Sequence, residues 1–324
     1  MAILSDKDRT FWDKNGYIVI HEAVPRGYIN AALGVIWGFL NMSSDDRKSW
    51  YPTSPRRGIM VEMYQHQELW ENRQYPRVYK AFTEILEMER LWVSIDRVSM
   101  SPPEQTSLNK SALRQPIPLH WDYALQLHGD GKPSLMEGSL EYSIPFWVQG
   151  VLYLTDTPAD GGAFTCIPGF HQNIDAWLET VPQAIDPRKQ AHDGGLFLNY
   201  DAWLEAFPSD FNSVKKDIIE KVARPVPAKA GDLIIWHSAL PHGACFNTAM
   251  YPRVVQYMTM FPAQGNDEVV RNRRLKEWRK SSAGKGTKGS VVKPSLIKEI
   301  EDINDKPKNL SSLGRKLLGL DNWK

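Results

Sequence analysis

Apolar and polar positions divide this chain into a helical front and a strand-rich body. Residues 6–15 read as a short helix leading into an apolar strand, Tyr17 to Ile20, and a turn at Pro25. From 28 to 41 apolar residues recur at helical spacing, which predicts an amphipathic helix. Gly34 and Gly38 weaken that helix but let it lie close to a sheet. A polar, proline-containing loop follows. Residues 67–88 predict one or two further helices, with Pro76 ending or kinking the first.

The pattern changes at Leu91. LWVSIDRVSM (91–100) alternates with a period of two, as a strand does, and Pro102-Pro103 stops it. Further strands are predicted near Leu119 and over 146–155, 163–167, 196–199, 233–236 and 254–261, separated by turns such as Pro158-Ala-Asp-Gly-Gly162. Residues 175–178 and 209–221 look like helical insertions. Many short strands behind a group of helices predict a mainly β fold, a β-sandwich or jelly roll braced by N-terminal helices. With no internal repeat and no clean boundary, one domain is expected over 1–324: a helical front over 1–90, a jelly-roll core over 91–262 and a basic extension over 263–324. The extension holds a charged helical stretch (267–280), a linker-like SSAGKGTKGS (281–290) and an apolar end with Leu310, Leu313, Leu317, Leu318 and Leu320, expected to dock on the body.

Composition narrows this picture. The hydrophobic share of 42% and charged share of 24% are those of a soluble globular chain. Two cysteines, Cys166 and Cys245, exclude a disulfide scaffold and favour a reducing, cytoplasmic setting. The first residues carry charges throughout and no apolar signal core, and no run is long enough for a membrane span. Net charge is +1, but residues 270–324 hold 15 Lys and Arg against 6 Asp and Glu. Such a tail either packs on an acidic body or attracts nucleic acid.

Candidate chemistry gathers in GDLIIWHSALPHGACFNTAMYPR (231–253). His242 follows a strand and a proline, and Arg253 opens the next strand. An imidazole ligates a transition metal, and a guanidinium on the neighbouring strand can grip a carboxylate beside it. His237 is the rival in this segment, but it falls in phase with Leu233 and Ile235 inside the strand. Upstream, two His-x-Asp pairs offer further ligands, because alternate residues of an extended chain face the same way. His120-Trp-Asp122 follows the extended Pro116-Ile-Pro-Leu; His128-Gly-Asp130 lies in a turn sequence, so the first pair is preferred. Two histidines and one carboxylate leave half of an octahedral metal open, as in non-haem Fe(II) oxygenases. A closed zinc site would call for a fourth ligand such as Cys245 and would have no use for Arg253.

On His120-Trp-Asp122, GGAFTCIPGFH (161–171), GDLIIWHSALPHGACFN with Arg253, and the opening FWDKNGYIVIHEAVP (11–25), the chain resembles the phytanoyl-CoA dioxygenase (PhyH) family of Fe(II)- and 2-oxoglutarate-dependent oxygenases. The resemblance runs through most of 8–262 and implies a double-stranded β-helix, cupin-like, with N- and C-terminal helices. It implies that His120, Asp122 and His242 bind iron and that Arg253 binds the distal carboxylate of 2-oxoglutarate. Some members carry a hydroxyl two residues after the distal histidine; here that position is Ala244, so Thr155 or Gln149 is the candidate for additional cosubstrate contact. Arg97 falls at a pocket-lining position and is a candidate for cosubstrate or acidic substrate. The implied reaction consumes O2 and 2-oxoglutarate, releases succinate and CO2, and hydroxylates a C–H of a small organic substrate. The segment 123–147, with Tyr123, Tyr142, Phe146 and Trp147, suits a substrate loop. The alternatives are a non-catalytic metal-binding or scaffold protein on the same fold, and a nucleic-acid oxygenase guided by the basic tail.

Overall fold

The structure is a computed structural model, and it describes residues 2–51, 60–61, 63–104, 117–120, 148–172, 222–263, 268–279 and 309–323. Ser5 and Gly16 bracket helix α1 (Asp6–Asn15): the Ser5 hydroxyl accepts the Asp8 N–H, the Asp8 carboxylate accepts the Ser5 N–H, and Gly16 closes the helix at φ 72°. Strand β1 (Tyr17–Ile20) follows, then α2 (Arg26–Leu40), β2 (Met60–Val61), α3 (Gln67–Arg73) and α4 (Pro76–Leu86). Pro76 does not kink a long helix. It sits in the first turn of α4, where its missing N–H costs nothing.

The body contains β3 (Leu91–Val93), β4 (Val98–Ser101), β5 (Ile117–His120), β6 (Val148–Tyr153), β7 (Phe164–Cys166), β8 (Arg224–Val226), β9 (Leu233–His237), β10 (His242–Ala244), β11 (Arg253–Tyr257) and β12 (Met260–Pro262), followed by α5 (Glu268–Arg279) and α6 (Ser312–Leu318). The main sheet has the order β1-β9-β6-β11-β4-β2 and the second sheet β5-β10-β7-β8, with every described pairing antiparallel. The expected single strands over 91–100 and 254–261 are each broken in two. Their halves β3 and β12 leave the main sheet and pair with each other, and at the break Ser94 N–H donates to the Thr259 carbonyl while its hydroxyl accepts the Thr259 N–H. The sequence pattern misses β2, β8 and β10, which are too short to show a period. The expected strand at 196–199 and the insertions at 175–178 and 209–221 lie outside the described residues.

The two faces of the main sheet bury different things. On the outer face Ile18, Ile20, Val148, Leu152, Leu233, Ile235 and Val254 pack with Ile29, Ala32 and Ile36 of α2, Leu69 and Trp70 of α3, and Phe82 of α4. Each such fully buried aliphatic side chain contributes about 1.5–3 kcal/mol of transfer free energy. On the inner face Val151, Tyr153, Ile234, Trp236 and Val255 meet Phe164 and Cys166 of β7 and Val226 of β8, so the second sheet closes over the first.

The end of the chain docks as its apolar pattern predicts. Leu317 and Leu318 are fully buried in the outer cluster. Two arginines of α5 hold that end in place: Arg271 donates to the carbonyls of Gly319 and Leu320, both at 2.7 Å, and Arg274 donates to Leu318 at 2.8 Å and to Val93. Cations at the last carbonyls of a helix satisfy groups the helix leaves open. Some of the basic charge of the extension therefore has an internal use.

Candidate functional site

The site is assembled from the connection that carries the chain from β10 in the second sheet to β11 in the main sheet, and from the sheets on either side of it. After β9 the chain turns, with Leu240 N–H donating to the His237 carbonyl, and Pro241 delivers His242 to the start of β10. Register places residue 242 directly opposite residue 120 of β5 on one side and Cys166 of β7 on the other. The β5 pairing slips by one residue between His120 and Ile117, an irregularity of the kind that re-aims side chains beside active sites. His242 is buried, with its ring 5.0 Å from that of Trp236 and 6.1 Å from that of Phe164. Its Nδ1 lies 3.0 Å from the Leu240 carbonyl. A carbonyl only accepts, so Nδ1 carries the proton and the neutral ring keeps its lone pair on Nε2, the nitrogen suited to bond a metal.

Arg253 opens β11 and is only 3% exposed. Three neighbours set its position. The Thr155 hydroxyl donates to the Pro252 carbonyl at 3.1 Å and accepts the Val254 N–H at 2.8 Å, fixing the backbone on both sides of the arginine. Asn247 is buried, gives its amide hydrogens to the carbonyls of Ser101 and Tyr251, and accepts the Ala249 N–H, which closes the loop between β10 and β11. Gly162, at φ 78°, lies against the arginine stem: a Cβ there would stand 3.3 Å from the Arg253 Cδ. The guanidinium carbon sits 5.6 Å from the centre of the Tyr153 ring. Burial works against the charge, but the Tyr153 and Tyr257 hydroxyls favour it and hold the pKa above its ordinary value. Among the described residues, Arg253 Nε and Nη1 nonetheless have no hydrogen-bond acceptor. A buried donor left unpaired costs about 1–3 kcal/mol, more when charged.

The other expected site residues divide. Gln149 is buried on the inner face, directly across from Trp236. Thr155 is tied to the backbone around Arg253, as described, so its hydroxyl hydrogen is already committed. Arg97 faces its sequence neighbour, with Nε 3.8 Å from the Asp96 carboxylate. Asp122 lies outside the described residues, and of His120 the backbone alone is described. Among the described residues no three His, Cys, Asp or Glu side chains gather as a metal site. The rival imidazole, His237, is engaged elsewhere: its Nδ1 accepts the Ala239 N–H at 3.0 Å and its ring lies 5.1 Å from that of His171. His171 in turn lies 3.1 Å from the Asp13 carbonyl, so it packs a loop against α1. Cys245, the possible zinc ligand, donates its thiol to the Ala159 carbonyl. His128-Gly-Asp130 and the segment 123–147 lie outside the described residues. Sequence reasoning missed Asn247, Gly162 and Trp236; only the positive φ at Gly162 has a residue type that hints at it.

Chemically, the inner space offers an imidazole with its lone pair on Nε2 and a cation whose donors lack an anion. That donor set fits a metal held by nitrogen and a small carboxylate bound beside it. Comparison with known proteins points the same way. The profile of the phytanoyl-CoA dioxygenase (PhyH) family matches residues 12–255. A Dictyostelium discoideum protein that bears the phytanoyl-CoA dioxygenase name is 22% identical over 345 aligned positions, covering 96% of this chain and 86% of that protein. Among solved structures, GlcNAc Inducible Gene 2 of Candida albicans aligns with a TM-score of 0.67 at 16% identity, over 99% of this chain and 77% of that one. SnoK, a non-heme alpha ketoglutarate dependent carbocyclase from nogalamycin biosynthesis, aligns with a TM-score of 0.51 at 17% identity, over 80% and 85%. At these identities the structural likeness is one of fold.

Proposed function

Because the chain belongs to the phytanoyl-CoA dioxygenase family, we propose that it is an Fe(II)- and 2-oxoglutarate-dependent dioxygenase that hydroxylates a C–H of a small organic substrate. The two facing sheets are then the double-stranded β-helix of such an enzyme, with the helices on the outer face as its brace. His242 binds iron through Nε2, and His120, opposite it in register, and Asp122 complete the ligand set. Arg253 takes the distal carboxylate of 2-oxoglutarate, and Gln149 lines the same inner face. When bound, iron and 2-oxoglutarate supply the oxidising chemistry that converts O2 and cosubstrate to succinate, CO2 and a hydroxylated product.

The protein's own contribution is positioning. Leu240 fixes the tautomer of His242, so the imidazole presents its lone pair without rearrangement. Thr155, Asn247 and Gly162 hold Arg253 where a carboxylate replaces the missing acceptors, and the aromatic walls Trp236, Phe164 and Tyr153 keep water from the inner space. The observation that carries this reading is the Arg253 guanidinium, buried between the sheets with two nitrogens lacking acceptors among the described residues. A scaffold protein has no reason to keep such a group.

Anaerobic titration of the protein with Fe(II) and 2-oxoglutarate tests it. A visible absorption band from the chelated cosubstrate, followed on air by succinate release, is expected. A protein that binds neither ligand is not this enzyme. Succinate release across a substrate library then identifies the compounds that the site accepts.

A further inference from the structure

Ser99 is fully buried, and its hydroxyl has no hydrogen-bond partner among the described residues. Buried hydroxyls nearly always find one, if only a backbone carbonyl, so an exception calls for an explanation. The register of β4 against β11 supplies it. Ser99 pairs with Val255 and Ser101 with Arg253. Residues paired across an antiparallel ladder share a face, so Ser99 lies on the inner face, one diagonal step from Arg253. Its neighbours Val98 and Met100 belong to the outer cluster, as alternation requires.

The Arg253 side chain runs toward this level of the sheet. Its guanidinium carbon lies over the Tyr153 ring, and Tyr153 is itself paired with Val255. Tyr153, Val255 and Ser99 thus form one row across β6, β11 and β4, with the tyrosine on one side of the arginine's path and the serine on the other. Arg253 offers donors only and a serine hydroxyl offers one more. Nε and Nη1 of Arg253 and the Ser99 hydroxyl, donors without acceptors among the described residues, suit a single anion with several lone pairs, which is a carboxylate.

We propose that Ser99 is a second anchor for the distal carboxylate of 2-oxoglutarate, acting beside Arg253; the inference rests on the oxygenase reading above. Thr155 does not fill this role, because its hydrogen is given to the Pro252 carbonyl.

The test compares two ligands on the Fe(II)-loaded full chain under anaerobic conditions: 2-oxoglutarate, and 2-oxopentanoate, which has a methyl group where the distal carboxylate would be. Wild type should bind 2-oxoglutarate more tightly. Ser99→Ala should weaken 2-oxoglutarate by about tenfold, the loss of one hydrogen bond to a charged group, and change 2-oxopentanoate by less than about twofold. Thermal unfolding of the metal-free variant should match wild type or exceed it, since an unpaired buried hydroxyl has been removed. Equal losses for the two ligands, no loss for either, or a melting point several degrees lower overturns the assignment of Ser99 alone. Failure of wild type to bind either ligand overturns the oxygenase reading, and this inference with it.

Discussion

The main sheet keeps a buried arginine on each of its two sides, and the two differ in what they bond. Arg73, on α3 at the outer side, is fully buried and lies 5.2 Å from the Trp70 ring. Arg253, on the inner face, is nearly as buried and lies 5.6 Å from the Tyr153 ring. Neither forms an ion pair with a described carboxylate. What differs is the acceptors. Arg73 donates through Nη1 to the Tyr64 carbonyl at 2.8 Å and through Nη2 to the Asp96 carbonyl at 2.6 Å, tying α3 to the chain segments on either side of it. Nε lacks an acceptor in both, and the contrast lies at Nη1, which in Arg253 has none among the described residues. Burial above all draws the pKa of Arg73 down to about 9, with Asp96 opposing and Arg274 adding to the fall, so even a well-bonded cation is costly there. At Arg253 the Tyr153 and Tyr257 hydroxyls offset burial and keep the charge, and on the proposed reading a bound carboxylate takes up its remaining donors.

Substitution should separate the two arginines. Arg253→Met, which keeps the stem and removes the charge, should reduce affinity for 2-oxoglutarate by about 100-fold or more, the usual consequence of deleting one partner of a buried charge pair. Metal-free Arg253→Met should lose less stability than Arg73→Met, because two of its guanidinium nitrogens have no acceptor among the described residues to lose. Titration calorimetry with Mn(II) in place of iron measures the first and calorimetric unfolding the second. A large loss of stability with unchanged cosubstrate affinity would reverse the assignment. Arg73→Met should do the opposite. It strands two buried carbonyls and should cost about 2–4 kcal/mol of folding free energy, while the variant that remains folded binds 2-oxoglutarate as wild type does.

That contrast could not be read from the sequence, although much else could. The bounds of α1 are legible because Ser5, Asp8 and Gly16 cap it with the residue types such ends require. The break between α3 and α4 is legible at Pro76. The alternation over 91–100 and 254–261 is real, but a period of two says nothing about which sheet a strand joins, and both strands change partners midway. His242 and Arg253 stand out through their spacing and turn chemistry. Thr155 shows what spacing leaves out: a hydroxyl at the end of a strand looks free in sequence, whereas here it bonds the backbone groups of Pro252 and Val254. Ser99 looks like filler between two apolar residues, and only the absence of a partner among the described residues sets it apart.

The two histidines that compete in sequence repeat the contrast on a smaller scale, and pH should expose it. His237 is bonded by its own chain and half-buried: Ala239 N–H donates to its Nδ1, and the His171 ring stands beside it. Burial first, and repulsion from His171 second, hold its pKa down at about 3, against an ordinary 6.5. A base whose folded pKa is depressed is protonated more readily in the unfolded chain. Between pH 6.5 and 3 unfolding therefore takes up a proton, and stability falls as pH drops through that window. Carboxylates add their own loss only below about pH 4.5, so the interval from pH 7 to pH 5 isolates the histidines. Wild type should lose about 1–2 kcal/mol of stability across it, and His237→Gln, whose amide oxygen can still accept the Ala239 N–H, should lose distinctly less. Urea unfolding of both proteins at the two pH values measures the difference. Identical slopes would mean that His237 takes up a proton as readily in the folded state as in the unfolded chain.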